Sequence, residues 1–152
     1  YGEYDAALRA KMEELGFKAA LAQYSSVASA DGSLYEVPRF ALNESYSGMN
    51  RFKLIANARA LPALGVIPAD PRLSNNPPAF GFTVPDTVRG LSAMSCFPSH
   101  LPEAASMTML GEHRVEIRFE KPFPKGRSRI NCTMPGPEGR WYWFGRPFFV
   151  TK

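Results

Sequence analysis

From Asp5 the chain opens on a helical pattern, with Leu8, Met12 and Leu15 at i, i+4 and i+7 and Gly16 where the run stops. Asp5 supplies an N-cap acceptor and Gly16 the left-handed residue that commonly ends a helix, so the spacing predicts a helix over Ala6 to Leu15. Phe17-Lys18-Ala19-Ala20-Leu21-Ala22 follows as a short, mostly apolar run of the length expected for a strand buried on both faces. A helix feeding such a strand through one glycine is an α/β unit. Leu34 to Leu42 reads as extended, restricted before Pro38. A second helix is expected from about Asn50 to Ala58, with Phe52, Ile55 and Ala56 facing inward.

Further on the period shortens to two. Val115, Ile117 and Phe119 alternate with Arg114, Glu116, Arg118 and Glu120, the pattern of a strand with one wet face. Similar short runs at 80–84, 91–97, 106–110, 127–133 and 141–150 predict, with 114–120, a small β-sandwich. Between the two regimes stand Pro62, Pro68, Pro71, Pro77 and Pro78, too dense for a helix or a central strand. The expected division is therefore 1–61, a proline-rich linker over 62–79, and a β domain over 80–152.

Composition sharpens this division. Residues 1–61 hold one of the 14 prolines and balance seven basic against seven acidic residues, so all of the formal +4 resides in 62–152. With 152 residues and 45% hydrophobic content the chain can build a core, which argues against intrinsic disorder. No apolar run reaches the roughly 20 residues of a membrane span, and the opening residues have no signal-peptide character. The chain begins without Met, inside a motif, and is expected to be a fragment or a processed product.

Candidate chemistry is sparse. A catalytic metal site generally needs three protein ligands, and the two histidines, His100 and His113, have no third ligand at metal-like spacing; both are expected at the surface. No phosphate-binding glycine loop or nucleophile elbow is present. Cys96 and Cys132 fall in expected strands, and two readings stand: a bridge between strands in an exported protein, or two buried thiols. Asn43-Glu44-Ser45 and Asn131-Cys132-Thr133 match the glycosylation acceptor pattern, which arises often by chance. In Arg140 to Phe149, alternation sends Trp141 and Trp143 to one face and Tyr142 and Phe144 to the other. One face could stack on sugar rings, with Arg127, Arg129, Arg140 and Arg146 as hydrogen-bond donors; the alternative is that these rings fill the core or dock on the preceding domain. Residues 121–152 carry seven basic residues against one acidic, but no nucleic-acid motif accompanies them, and no nucleic-acid partner is expected.

Tyr1-Gly2-Glu3-Tyr4-Asp5, then Leu15 to Ala20, then Tyr35-Glu36-Val37-Pro38-Arg39-Phe40-Ala41-Leu42-Asn43 resemble the closing part of a polysaccharide deacetylase of the NodB-homology carbohydrate esterase group. The resemblance covers about the first 60 residues, and its most specific piece is the opening Tyr-Gly. It implies an α/β barrel remnant, the end of a distorted (β/α) barrel, followed by the all-β sandwich. It also implies an exported parent enzyme that removes acetyl groups from an N-acetylglucosamine-type polymer, using zinc or another divalent metal held by an Asp and two His, with a second Asp as general base. Those motifs are missing here, so the chain alone is expected to bind no metal and to be inactive, with a companion chain carrying the rest of the barrel.

Of the family's functional positions only Tyr1 maps, through a backbone N–H that would hold the oxyanion. The family's late Leu-x-His motif has no counterpart in Phe40-Ala41-Leu42-Asn43. Arg39 and Asn43 are candidate site-lining residues, and Arg140, Trp141 and Trp143 are candidate sugar contacts. A carbohydrate-binding module without catalysis and a purely structural cap are the alternatives.

Overall fold

The computed structural model describes residues 2–151. Its body is a sandwich of two four-stranded sheets. One has the order β1 (Arg59–Ala60), β8 (Trp141–Val150), β7 (Gly126–Pro135), β4 (Ser95–Pro98). The other has the order β2 (Leu64–Ile67), β3 (Phe80–Thr83), β6 (Arg114–Ile117), β5 (Met107–Leu110). Every pairing between these strands is antiparallel except β1 with β8. Period-2 alternation explains the layering, since Ile130, Cys132 and Met134 of β7 and Phe148 and Val150 of β8 face Phe80, Phe82, Val115 and Ile117 of the opposite sheet. Phe80 and Phe148 meet edge to face at 5.5 Å, and Phe82 lies 5.0 Å from Phe144. Most of the side chains that face the core directly are fully buried.

The expected strand runs at 80–84, 106–110, 114–120, 127–133 and 141–150 each contain a strand. The run at 91–97 opens instead with a 3₁₀ turn at Leu91–Ala93, entered through Gly90 at φ +80°, and only Ser95–Pro98 is extended. The proline-rich stretch contributes β2, a proline-free edge strand, and Arg72, which bridges Phe149 in parallel.

Cys96 and Cys132 lie directly opposite each other and form a disulfide with Cα atoms 4.0 Å apart. The Cys96 carbonyl accepts from Ala105 N–H on the other edge of β4, so this is a non-hydrogen-bonded pair, the closer of the two antiparallel kinds. Both cysteines are buried, and the two-thiol reading is set aside.

Residues 2–58 do not form the expected barrel remnant. They contain two helices, α1 (Ala6–Glu14) and α2 (Met49–Asn57), and no alternation of strand and helix. The α1 ends follow the sequence: Asp5 Oδ1 accepts from Leu8 N–H at 2.9 Å, and Gly16 at φ +78° lets Phe17 N–H reach Met12 O and Gly16 N–H reach Glu13 O. The apolar run after α1 finds too few parallel neighbours to make a sheet. The backbone of Ala20–Ala22 pairs with that of Leu34 and Val37, giving the isolated parallel bridge Leu21–Val37. Helix α2 spans the expected residues, but Phe52 and Ala56 are exposed and only Ile55 is half-buried, because no layer covers that face.

Candidate basic groove

The outer face of the β7–β8 sheet is covered on one side only. Outward positions alternate with the core-facing ones: Arg127, Arg129 and Asn131 on β7 sit opposite Phe149, Pro147 and Gly145 on β8. Residues 2–45 lie over the β8 side. Tyr4 packs edge-on against Phe149 at 5.5 Å, and Phe40 packs edge-on against Trp143 at 5.1 Å. Gly145 N–H donates to Ser26 Oγ at 3.0 Å. This approach needs a glycine, because a Cβ at 145 would overlap the Ser25 carbonyl oxygen.

Between this covering and β7 lies an open groove of about 810 Å³. Arg127 and Arg129, two residues apart on a strand and hence about 7 Å apart, form one wall. Arg39, Phe40 and Asn43 form the other, with Tyr46 and Arg51. Trp143 lies at the base, its indole N–H donating to Asn131 Oδ1 at 3.3 Å. Arg39 Nε–H donates to Ala22 O at 3.1 Å, which fixes the stem and aims the end of the guanidinium at the groove. Arg51 lies over the Tyr46 ring at 4.8 Å, a cation–π arrangement that holds it at the rim. Arg127 Nη1–H donates to Gln23 Oε1 at 2.9 Å across the groove. No carboxylate lines the groove among the described residues, and Arg39, Arg51 and Arg129 make no ion pair there.

Five of the candidate sugar contacts singled out from the sequence, Arg39, Asn43, Arg127, Arg129 and Trp143, therefore meet in one place. The others do not. Trp141 faces outward and is exposed, away from the groove. Arg140 donates to Asn57 O at 2.6 Å in a separate cleft beside Arg59 and Tyr142. Arg146, a candidate sugar donor from sequence, is buried. Tyr1 lies outside the described residues. Tyr46 and Arg51 went unnoticed in the sequence because their spacing along the chain carries no motif. Arg127 and Arg129 were legible through alternation on β7.

A second polar cluster fastens residues 2–40 to the sandwich. Glu36 Oε1 accepts from Arg9 Nη1–H at 2.8 Å, Glu36 Oε2 accepts from Tyr4 O–H at 3.1 Å, and Arg146 Nη1 stands 3.7 Å from Oε2. Arg146 Nη2 also donates to Pro68 O at 3.2 Å, and Tyr24 O–H donates to Glu36 O at 3.1 Å. Burial, reinforced by the Glu36 charge, raises the Tyr4 hydroxyl far above the usual phenol range. The same causes push the Tyr24 hydroxyl up to about 12. With its carboxylate engaged by two guanidiniums and a phenol, Glu36 is a structural counter-ion rather than a general base.

The metal expected from the family resemblance does not fit the residues present. Among the described residues no three His, Cys, Asp or Glu side chains lie close enough to hold an ion. His100 packs at a tilt against Phe123 with ring centroids 4.1 Å apart, and His113 lies 3.8 Å from Glu112; both histidines are half-buried. Among the described residues no helix is long and apolar enough to cross a membrane. The buried bridge between Cys96 and Cys132 points weakly to an oxidising compartment. Comparison with protein-family models, curated proteins and solved structures finds no match for this chain.

Proposed function

We propose that the chain holds a polysaccharide in the groove between residues 23–51 and the outer face of β7–β8, as the sugar-gripping portion of an exported polysaccharide deacetylase. The carrying observation is that Arg39 and Asn43, from the stretch that resembles such enzymes, share one groove with Trp143 of the sandwich. An indole and a phenyl ring supply apolar faces for sugar rings, and arginine and asparagine supply donors for hydroxyl and acetyl oxygens. The metal and the general base would come from residues outside this chain, so binding rather than hydrolysis is its own contribution.

Affinity electrophoresis in gels containing a soluble chitin derivative tests this reading. Trp143→Ala is expected to weaken retention roughly tenfold, about 1.4 kcal/mol, while Trp141→Ala, on an exposed ring outside the groove, leaves it unchanged. Circular dichroism of both variants checks that the sandwich is intact. Equal losses from the two variants, or no retention of the wild-type chain on any polysaccharide, would overturn it.

A further inference from the structure

We infer that the groove is a clamp with one movable wall, held shut by contacts that lie outside it, so that gripping the polymer and docking residues 2–58 on the sandwich are one coupled event. The inference rests on the reading that the groove holds a sugar polymer and adds how that grip is controlled. Glu36, which does not line the groove, becomes a positioning residue for it.

The two walls differ in their support. Arg129, Asn131 and Trp143 stand on β7 and β8, whose other faces are buried in the core. Arg39, Phe40, Asn43, Tyr46 and Arg51 stand on a region that, among the described residues, buries two hydrophobic side chains, Ala22 and Ala58, and leaves Leu42, Met49 and Phe52 exposed. Such a wall has no core of its own to fix its distance from β7.

Its position is set from behind. Arg39 N–H donates to Tyr24 O at 3.1 Å and Arg39 Nε–H to Ala22 O at 3.1 Å, while Tyr24 O–H donates to Glu36 O at 3.1 Å. Ala22 N–H donates in turn to Val37 O at 2.8 Å. Glu36 thus stands at the root of the stretch that carries Arg39, Phe40 and Asn43 into the groove. Its carboxylate ties that root to Arg146 of β8. A second tie is Ser26, whose Oγ accepts from Gly145 N–H at 3.0 Å. None of these four residues, Ser26, Glu36, Gly145 and Arg146, lines the groove. A ligand that touches both walls binds the docked arrangement and not the released one, so its apparent dissociation constant rises as the docked fraction falls. By the same coupling, bound ligand holds the wall down.

Amide exchange followed by NMR tests the coupling in the full chain, with a neutral chitooligosaccharide as the probe. The reporters are the amides of Ala20, Ala22, Val37 and Gly145, which are hydrogen-bonded at the joint or behind it and do not line the groove. At ten times its dissociation constant the probe is expected to slow their exchange roughly tenfold. Gly145→Ala sets a Cβ against the Ser25 carbonyl oxygen and lifts the wall without changing a side chain of the groove. It should weaken binding at least tenfold while the circular dichroism of the sandwich stays unchanged. Glu36→Gln should fall between the wild type and Gly145→Ala, and saturating probe should restore slow exchange in it. Arg129→Ser, on the fixed wall, should weaken binding yet leave exchange in the free chain as in the wild type.

Binding without slowed exchange at the four reporters overturns the inference and leaves the sugar-binding reading standing. Wild-type affinity in Gly145→Ala, once its Val37 amide has quickened, does the same. Failure of the wild-type chain to bind the probe overturns both. The exchange measurement needs no variant and decides the matter should Gly145→Ala fail to fold or absorb the added methyl.

Discussion

Residues 2–58 and residues 59–150 treat their apolar side chains in opposite ways. The second region holds eighteen of the buried hydrophobic side chains among the described residues; the first holds two, Ala22 and Ala58. Of the large apolar side chains left exposed, ten belong to the first region, including Leu15, Leu21, Met49 and Phe52, and five to the second. Hydrophobic burial is the main favourable term in folding, so the sandwich has its own source of stability and the first region does not. What keeps residues 2–58 in place is borrowed: rings docked on Phe149 and Trp143, the Ser26 hydroxyl on Gly145, and a carboxylate shared between Arg9 and Arg146. An attached region of this kind can come loose while its support stays folded.

The largest effect should come from the shared support. Phe82→Ala removes a fully buried ring that packs against Phe80 and Phe144, and should cost about 3–5 kcal/mol. Urea unfolding followed by tryptophan fluorescence and by far-ultraviolet circular dichroism should show both regions melting earlier and together. Separate transitions, with α1 and α2 unaffected, would show that residues 2–58 stand on their own.

Glu36→Gln should act in the opposite sense, on the attachment alone. Removing one partner of a buried ion pair costs about 3–5 kcal/mol, and at this partly exposed site about 2 kcal/mol is expected. Hydrogen exchange should quicken at amides 20–22 and 34–37 and stay unchanged in β6 and β7. Faster exchange throughout the sandwich would erase the distinction between the regions.

The smallest effect is a matter of pH. Tyr4 and Tyr24 stay protonated in the folded chain beyond the pH at which an unfolded tyrosine ionises. Their contribution is therefore whole below pH about 10; that of Tyr24 is lost as pH rises toward about 12, and that of Tyr4, raised further, at still higher pH. Tyrosinate absorbance should show two of the six tyrosines lagging behind the rest, and their titration should coincide with release of residues 2–40. Six tyrosines titrating together near pH 10 would mean that the cluster is open to water.

Much of the sandwich is legible in the sequence because its strands carry their own signal, as in Val115, Ile117 and Phe119 against Arg114, Glu116 and Arg118. The α1 caps are legible for the same reason, since Asp5 and Gly16 act on atoms a few residues away. The first region misleads because its pattern is local and its fate is not. Phe17 to Ala22 has the composition of a buried strand, yet burial requires neighbours, and the segment that pairs with it, Leu34 to Val37, makes only an isolated bridge. Phe52 has helical spacing, but spacing cannot reveal that nothing covers it. The groove was half legible: alternation marks Arg127 and Arg129, whereas no sequence pattern tells that Tyr46 and Arg51 will face them.

The position of β8 has a consequence in time. It borders β7 along its length, β1 at Tyr142 and Trp143, and Arg72 at Phe149, and its outer face seats Tyr4, Ser26 and Phe40. It is also the last of the eight strands to be synthesised. At a translation rate of about 5–20 residues per second, residues 2–45 wait on the order of ten seconds for the surface they rest on. During that interval their exposed leucines and aromatics have no seat within the chain, which is when a chaperone or a neighbouring nascent chain can reach them first.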